Sequence, residues 1–376
     1  MKKILLTIAS LAVAAVASVS VAPTNSEAVP AFARQTGAAC LNCHFQAIPR
    51  LAAMGREFRA NGFVDTSADL IEDDHLSLPV AFGASLLFKA RMGSKTVVGK
   101  TPAQVNLWES GTDSAFQYPD EAALLMGGRV AEHTGALAEW SGGPLSYKLI
   151  QTIEAGDGVV GLVIASTDAL GTAYAFNNPS NALIRNTRGS QFRPGFLANS
   201  SIQQGVSGYG AYFSSDMIHI GVAQFINNTE ADANIQNGAG PGMELGQGLA
   251  SFDASWKGDL AGFDTVATVY SVSGTQTHNG VDYSEASNGV ALQMQGEVAG
   301  ALVGLYAVVG NSDVAGDGYN LLATYSVSGS TLVKAGFSST VTPAVDAIAF
   351  IADVAGTATT ATTAATPGTL GNVASV

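Results

Sequence analysis

From Leu76 onward the chain alternates apolar and polar residues in short runs. In the first run Val80, Phe82, Ala84, Leu86, Phe88, Ala90 and Met92 fall on one face, and Ser85, Lys89 and Arg91 fall on the other. Ala250, Phe252, Ala254 and Trp256 alternate with Ser251, Asp253, Ser255 and Lys257. The same period recurs around Leu292, Leu321 and Val333, where the intervening positions carry Gln293 and Gln295, Asn320 and Thr324, and Lys334. A period of two is the signature of β-strands, whose successive side chains point to opposite faces. Each run is close to the roughly 9–11 residues that a tilted strand needs to cross a bilayer. SGGP at 141–144, AGDG at 155–158, KGDLAG at 257–262 and VSGS at 327–330 suit tight hairpins. The longer polar stretches 171–204, 228–244 and 274–287 read as loops on the opposite side. Short turns at one rim and long loops at the other are the asymmetry of a membrane barrel.

The pattern predicts an all-β transmembrane barrel of about 16 antiparallel strands, since bacterial barrels take even strand numbers. A soluble β-sandwich or β-helix is the competing fold, because runs such as ALVGLYAVVG (301–310) are apolar on both faces. The barrel is expected over 76–356. The tail TATTATTAATPGTLGNVASV lacks a terminal aromatic, so 357–376 is either a low-complexity tail or holds the closing strand.

Composition sharpens the choice. Only 12% of residues are charged, where about 25% is usual for a soluble surface. Polar positions nevertheless interrupt every apolar run, and none reaches the 18 residues expected of a transmembrane helix. A barrel satisfies both observations, with half its strand positions facing lipid and half facing water. The formal charge of -13 argues against a nucleic-acid partner. Residues 1–28 begin with two lysines and continue as small and apolar residues, the layout of a secretory signal peptide, with Ser26 and Ala28 as the small residues before a cut expected after Ala28. A retained membrane anchor is the alternative.

Between signal and barrel, residues 29–75 are helix-compatible and hold both cysteines of the chain, in Cys40-Leu41-Asn42-Cys43-His44. This C-x-x-C-H spacing points to covalent attachment of one haem c, with Cys40 and Cys43 forming thioethers and His44 binding the iron as proximal ligand. A disulfide, a redox C-x-x-C or a zinc site compete weakly. No βαβ pattern surrounds the motif, and zinc wants four ligands where three are clustered. For the sixth position on the iron, His75 is preferred and Met54 stands second, on an expected helix in PRLAAMGREFRANGF. His219 sits opposite Ile218, Ile220 and Val222, so it points toward a lumen. The acidic run Glu72-Asp73-Asp74 reads as a solvated turn, although carboxylates suit divalent ions.

The segment PAFARQTGAACLNCHFQAIPRLAAMGREFRANGF (30–63) resembles the fused outer-membrane monohaem cytochrome–porins of iron-oxidising bacteria. The likeness lies in Phe32 to Gly37, Cys40 to His44, Gln46, and Gly55, Arg56, Phe58, Gly62 and Phe63. It implies that Cys40, Cys43 and His44 bind haem in a small α-helical cytochrome domain acting as a plug, within or at the periplasmic side of its own barrel. It further implies electron transfer from extracellular Fe(II) to a soluble periplasmic carrier, across an outer membrane whose lipid surrounds the strands. Conduits for another extracellular donor or acceptor share the motif, and a passive porin with a haem-bearing plug is the third reading. The sizes agree. Strands about 4.8 Å apart and tilted about 40° give a 16-stranded wall roughly 30 Å across, with perhaps 20 Å of lumen. A domain of about 50 residues measures roughly 25 Å.

Overall fold

The computed structural model describes residues 30–47, 50–72, 77–80, 83–94, 114–140, 145–167, 177–183, 206–227, 248–278, 281–312, 317–328, 331–340, 347–354 and 357–365. The signal segment 1–28 lies outside them. Three short helices come first: α1 (Pro30–Thr36), α2 (Cys40–Cys43) and α3 (Ala53–Ala60). A small hairpin of β1 (Leu70–Glu72) and β2 (Ser77–Pro79) follows.

The rest is one antiparallel sheet of 15 strands among the described residues, against the 16 expected, with neighbours in sequence also neighbours in space. It runs through β3 (Ala84–Ser94), β4 (Ser114–Ala131), β5 (Thr134–Trp140), β6 (Ser146–Ala155), β7 (Gly158–Thr167), β8 (Val206–Ser215), β9 (Ile218–Asn227) and β10 (Gly248–Leu260). It continues through β11 (Phe263–His278), β12 (Val281–Val298), β13 (Ala301–Ser312), β14 (Gly318–Ser328), β15 (Thr331–Thr340), β16 (Ala347–Val354) and β17 (Thr357–Ala365). The last strand returns against the first, so the sheet curls round on itself. The low-complexity stretch after Val354 thus holds a strand, Thr357–Ala365, paired with Ala347–Val354. Its repeated threonines are β-branched, which suits a pleated surface.

Connections at one rim are two residues long throughout: β4–β5, β6–β7, β8–β9, β10–β11, β12–β13, β14–β15 and β16–β17. The longest connections, 95–113, 168–205 and 228–247, all fall at the other rim. One expected loop is corrected. Residues 274–287 belong instead to the hairpin of β11 and β12, paired from Asp264↔Gln295 to His278↔Val281. The β-branched Thr275, Thr277 and Val281 with Tyr283 favour strand, and the dipeptide Asn279-Gly280 between them is a strong two-residue hairpin signal. The turn expected over KGDLAG is narrower than that stretch, since β10 runs through Leu260 and β11 starts at Phe263.

The two faces of the sheet are the reverse of a water-soluble protein. On β9, His219 is 1% exposed while Ile220 and Val222 are 43% and 53% exposed. On β6, Lys148 and Thr152 are buried between exposed Leu149 and Ile153. Buried Gln293, Asn320 and Thr324 alternate with exposed Leu292, Leu321 and Tyr325. An apolar outer face and a polar inner face match a wall with lipid outside and a filled lumen inside. A soluble sandwich would bury the leucines. The apolar core that exists is on the inner side, where Ile150, Val163, Tyr212 and Phe225 pack around Phe58 and Phe63 of the N-terminal segment.

Candidate functional site

The N-terminal segment lies against the inner face on many sides. Phe32, Phe58 and Phe63 form one aromatic cluster, with ring centroids 5.0–5.6 Å apart. Gln35 anchors it by donating to the Phe63 and Asp65 carbonyls and accepting from the Arg129 backbone N–H on β4. Tyr212 on β8 donates its hydroxyl to the Ala60 carbonyl at the end of α3. Arg56 reaches Asp264 on β11 with a bidentate pair at 2.6 and 2.7 Å. Gln46 donates to the Leu302 carbonyl on β13 and accepts from Thr324 on β14. Leu302 and Asp264 both lie next to two-residue turns, so the segment fills the short-turn rim.

From the opposite rim, the β7–β8 connection sends Asn177–Leu183 inward. Ser180 and Asn181 there are fully buried. Asn181 exchanges two hydrogen bonds with the Leu51 backbone and donates its own N–H to Gln293 on β12. Arg59 donates to the Asn178 carbonyl, and Lys148 donates to the Asn177 side chain. This piece of 171–204, expected as a loop at the opposite rim, also folds inward from it, because its polar side chains find partners on the polar inner wall.

Within this frame the expected haem residues sit on one turn. Cys40 and Cys43 bound α2 with unpaired thiols, both half-buried. The His44 backbone N–H closes the turn onto the Cys40 carbonyl. Burial, and the neighbouring Cys40, raise the Cys43 thiol above its usual range. A glycine lets α3 pack on this turn: a Cβ on Gly55 would stand 2.1 Å from the Cys43 carbonyl oxygen. His44 Nδ1 lies 3.2 Å from the Arg50 carbonyl oxygen, which can only accept. Nδ1 therefore carries the proton and Nε2 keeps its lone pair, the arrangement of a metal-binding histidine oriented from behind. Burial lowers the His44 pKa, which favours the same neutral ring.

These residues fit a haem by their donor chemistry. Among the described residues no three His, Cys, Asp or Glu side chains stand close enough to hold a bare metal ion. A porphyrin brings its own four nitrogens and asks the protein for thiols and an axial imidazole, which this turn presents. Met54 is the second residue of α3 and is 42% exposed. His75, Asp73 and Asp74 lie outside the described residues, while Glu72 accepts from Ser77 across the β1–β2 hairpin. His219 does face inward, but its neighbours are Asp253, at 3.4 Å, and the stacked Tyr212 ring. Strand alternation puts Gln293 on the polar face, yet neither it nor the motif reveals the Arg56–Asp264 pair or a role for Arg50, because alternation says which face a residue takes and not what it meets across the lumen.

No family model matches the chain, and no curated protein matches it. Among solved structures it is similar to the outer-membrane expressed OmpT of Vibrio cholerae, at 12% identity over 76% of this chain and 82% of that one, with a TM-score of 0.37. It is also similar to a mutant porin of Rh. blastica, at 15% identity over 72% of this chain and 89% of that one, with a TM-score of 0.38. Likeness at that level carries no conclusion about membrane, ligand or activity. Those rest on the two faces of the sheet and on the Cys40–His44 turn.

Proposed function

We propose that this chain is an outer-membrane electron conduit, a barrel whose N-terminal segment carries one covalently attached haem c. The observation that carries the reading is the Cys40–Cys43–His44 turn, with His44 Nε2 left open for iron, held against the inner face of a sheet whose outer face is apolar. Cys40 and Cys43 would hold the haem through thioether sulfurs, and His44 would bind its iron through Nε2. Bound there, haem supplies a one-electron carrier. The segment and the inserted Asn177–Leu183 exclude water around it, and the outer leucines, isoleucines and valines hold the wall in lipid. The short-turn rim, which the segment fills, faces the periplasm, as short turns do in such barrels. Fe(II) outside is the electron donor, and a soluble periplasmic carrier is the acceptor. His75 or Met54 would supply a further ligand to the iron.

Expression with export and cytochrome maturation tests the attachment. Denaturing gels stained for haem should show it on the wild type and lose it in Cys40→Ala with Cys43→Ala. A wild type matured beside a working control cytochrome yet carrying no covalent haem would sink the proposal. The polar inner wall also suits a passive porin with a structural plug. Solute flux through reconstituted vesicles separates the two, because a conduit keeps its lumen closed.

A further inference from the structure

Four buried hydrogen-bond donors without acceptors lie on Arg50, Gln293 and Ser180, in the region where the N-terminal segment, β12 and the inserted segment meet. Arg50 is 3% exposed, and its Nε and Nη1 have no partner. Gln293 and Ser180 are both fully buried, and Gln293 Nε2 and Ser180 Oγ are likewise without partners. They belong together in space. The Arg50 guanidinium lies 5.4 Å from the centroid of the Tyr306 ring, and Tyr306 stands directly across from Gln293 in the β12–β13 register. Gln293 Oε1 accepts from the Asn181 backbone N–H at 2.7 Å, which places Ser180 next to it in the chain and leaves Nε2 as the unused end of the amide. The Tyr306 hydroxyl already accepts from Gln295, at 3.1 Å. No carboxylate pairs with Arg50 among the described residues.

A buried guanidinium without a counter-charge is costly, and water offers an acceptor but no charge. A cation, an amide N–H and a hydroxyl facing one space are complementary to a carboxylate, which accepts about four hydrogen bonds and pairs with arginine most strongly. Haem brings two carboxylates as its propionates. Arg50 is tied to the attachment turn, since its own carbonyl accepts from His44. We propose that Arg50, Gln293 and Ser180 form a carboxylate site that takes one propionate of the haem attached at Cys40 and Cys43, an assignment that rests on the haem reading above.

The test is a redox titration and a resonance Raman spectrum of the full chain purified in detergent, wild type against Arg50→Gln, Arg50→Lys and Gln293→Glu. Loss of the cation favours the ferric state, so R50Q should lower the midpoint by about 59 mV, a tenfold change in the ferric-to-ferrous ratio. Its propionate bending band should move while the porphyrin core bands stay in place. Q293E puts a competing carboxylate beside Arg50 and should shift both readings in the same direction. R50K keeps the charge without the fork and should shift the midpoint less. If R50Q does not assemble, Q293E and R50K carry the same two measurements. Unmoved midpoint and propionate band in R50Q and Q293E, with haem attached, would overturn the site alone. A wild type without covalent haem would overturn the site together with the function on which it rests. Acetate added to the wild type should leave its midpoint unchanged. A shift with acetate would give the site to a free carboxylate and overturn the haem assignment.

Discussion

The two faces of β9 do opposite work with the same backbone. Outward, Ile218, Ile220 and Val222 stand exposed beside the equally apolar Trp256, Ala254 and Phe252 of β10. Inward, His219 stacks on Tyr212 and faces Asp253. The outer face has one chemical requirement, to be apolar, and any of several residues meets it. The inner face is specified residue by residue, because a buried polar group that loses its partner costs about 1–3 kcal/mol. The comparison teaches where the information lies. The outer face decides that the chain enters a membrane, and the inner face decides what the barrel holds.

The comparison can be broken most severely from outside. Val222→Arg places a charge midway along β9 on the outer face and should cost about 2–4 kcal/mol of folding in a bilayer. Urea titration in lipid vesicles, with heat-modifiable gel mobility as the sign of a folded barrel, measures it. A neutral result would mean that this face does not meet lipid.

The next effect comes from inside. Arg56→Met removes the bidentate pair with Asp264 and should loosen the N-terminal segment by about 1.5–3 kcal/mol, the value of hydrogen bonds to charged groups. Protease should then clip the segment faster from the short-turn rim while the wall stays intact. Equal cleavage rates in variant and wild type would show that the pair does not hold the segment.

Glycine contacts give a third test of similar direction. A Cβ on Gly135 would stand 1.9 Å from the Gly62 carbonyl oxygen, where the segment touches β5. Gly135→Ala should cost about 1–3 kcal/mol through overpacking and raise solute flux past the displaced segment. Vesicle swelling or single-channel conductance reads it, and an unchanged, closed lumen would contradict the packing described.

The smallest effect is a titration. Desolvation holds the Asp65 carboxyl above its ordinary range, partly opposed by Asn61 and Arg129. Its folded state therefore binds the proton more tightly than the unfolded chain. The native state gains stability from this group as pH falls toward the ordinary carboxylate range near 4, and loses it as pH rises through the folded value. Asp65→Asn should slightly raise thermal stability at neutral pH and flatten its slope between those limits. A steeper slope in the variant would reverse the sign.

Much of the wall was legible in the sequence, for a physical reason: a period of two survives wherever one face meets lipid. Phe252 and Trp256 outward with Ser255 inward are readable from the run alone. The distal part of the β11–β12 hairpin, 274–287, was not, because polar residues such as Asp282, Ser284 and Ser287 look like loop when judged by composition. The Asn279-Gly280 dipeptide was the available signal. At the site, the C-x-x-C-H spacing located Cys40, Cys43 and His44, since that chemistry is local in the chain. Nothing local linked Arg50 to Gln293, whose polar face alternation had given, because the two lie 243 positions apart and both neighbour Tyr306 only once the chain folds.

In the proposed conduit, electrons enter a haem held inside this wall. The most direct measurement uses purified protein in sealed vesicles, with orientation checked by protease, watching the reduced-haem absorption band as Fe(II) is added outside without oxygen. Prompt reduction by Fe(II) is the predicted result. A haem that stays oxidised with Fe(II) but reduces with dithionite would contradict Fe(II) as the donor.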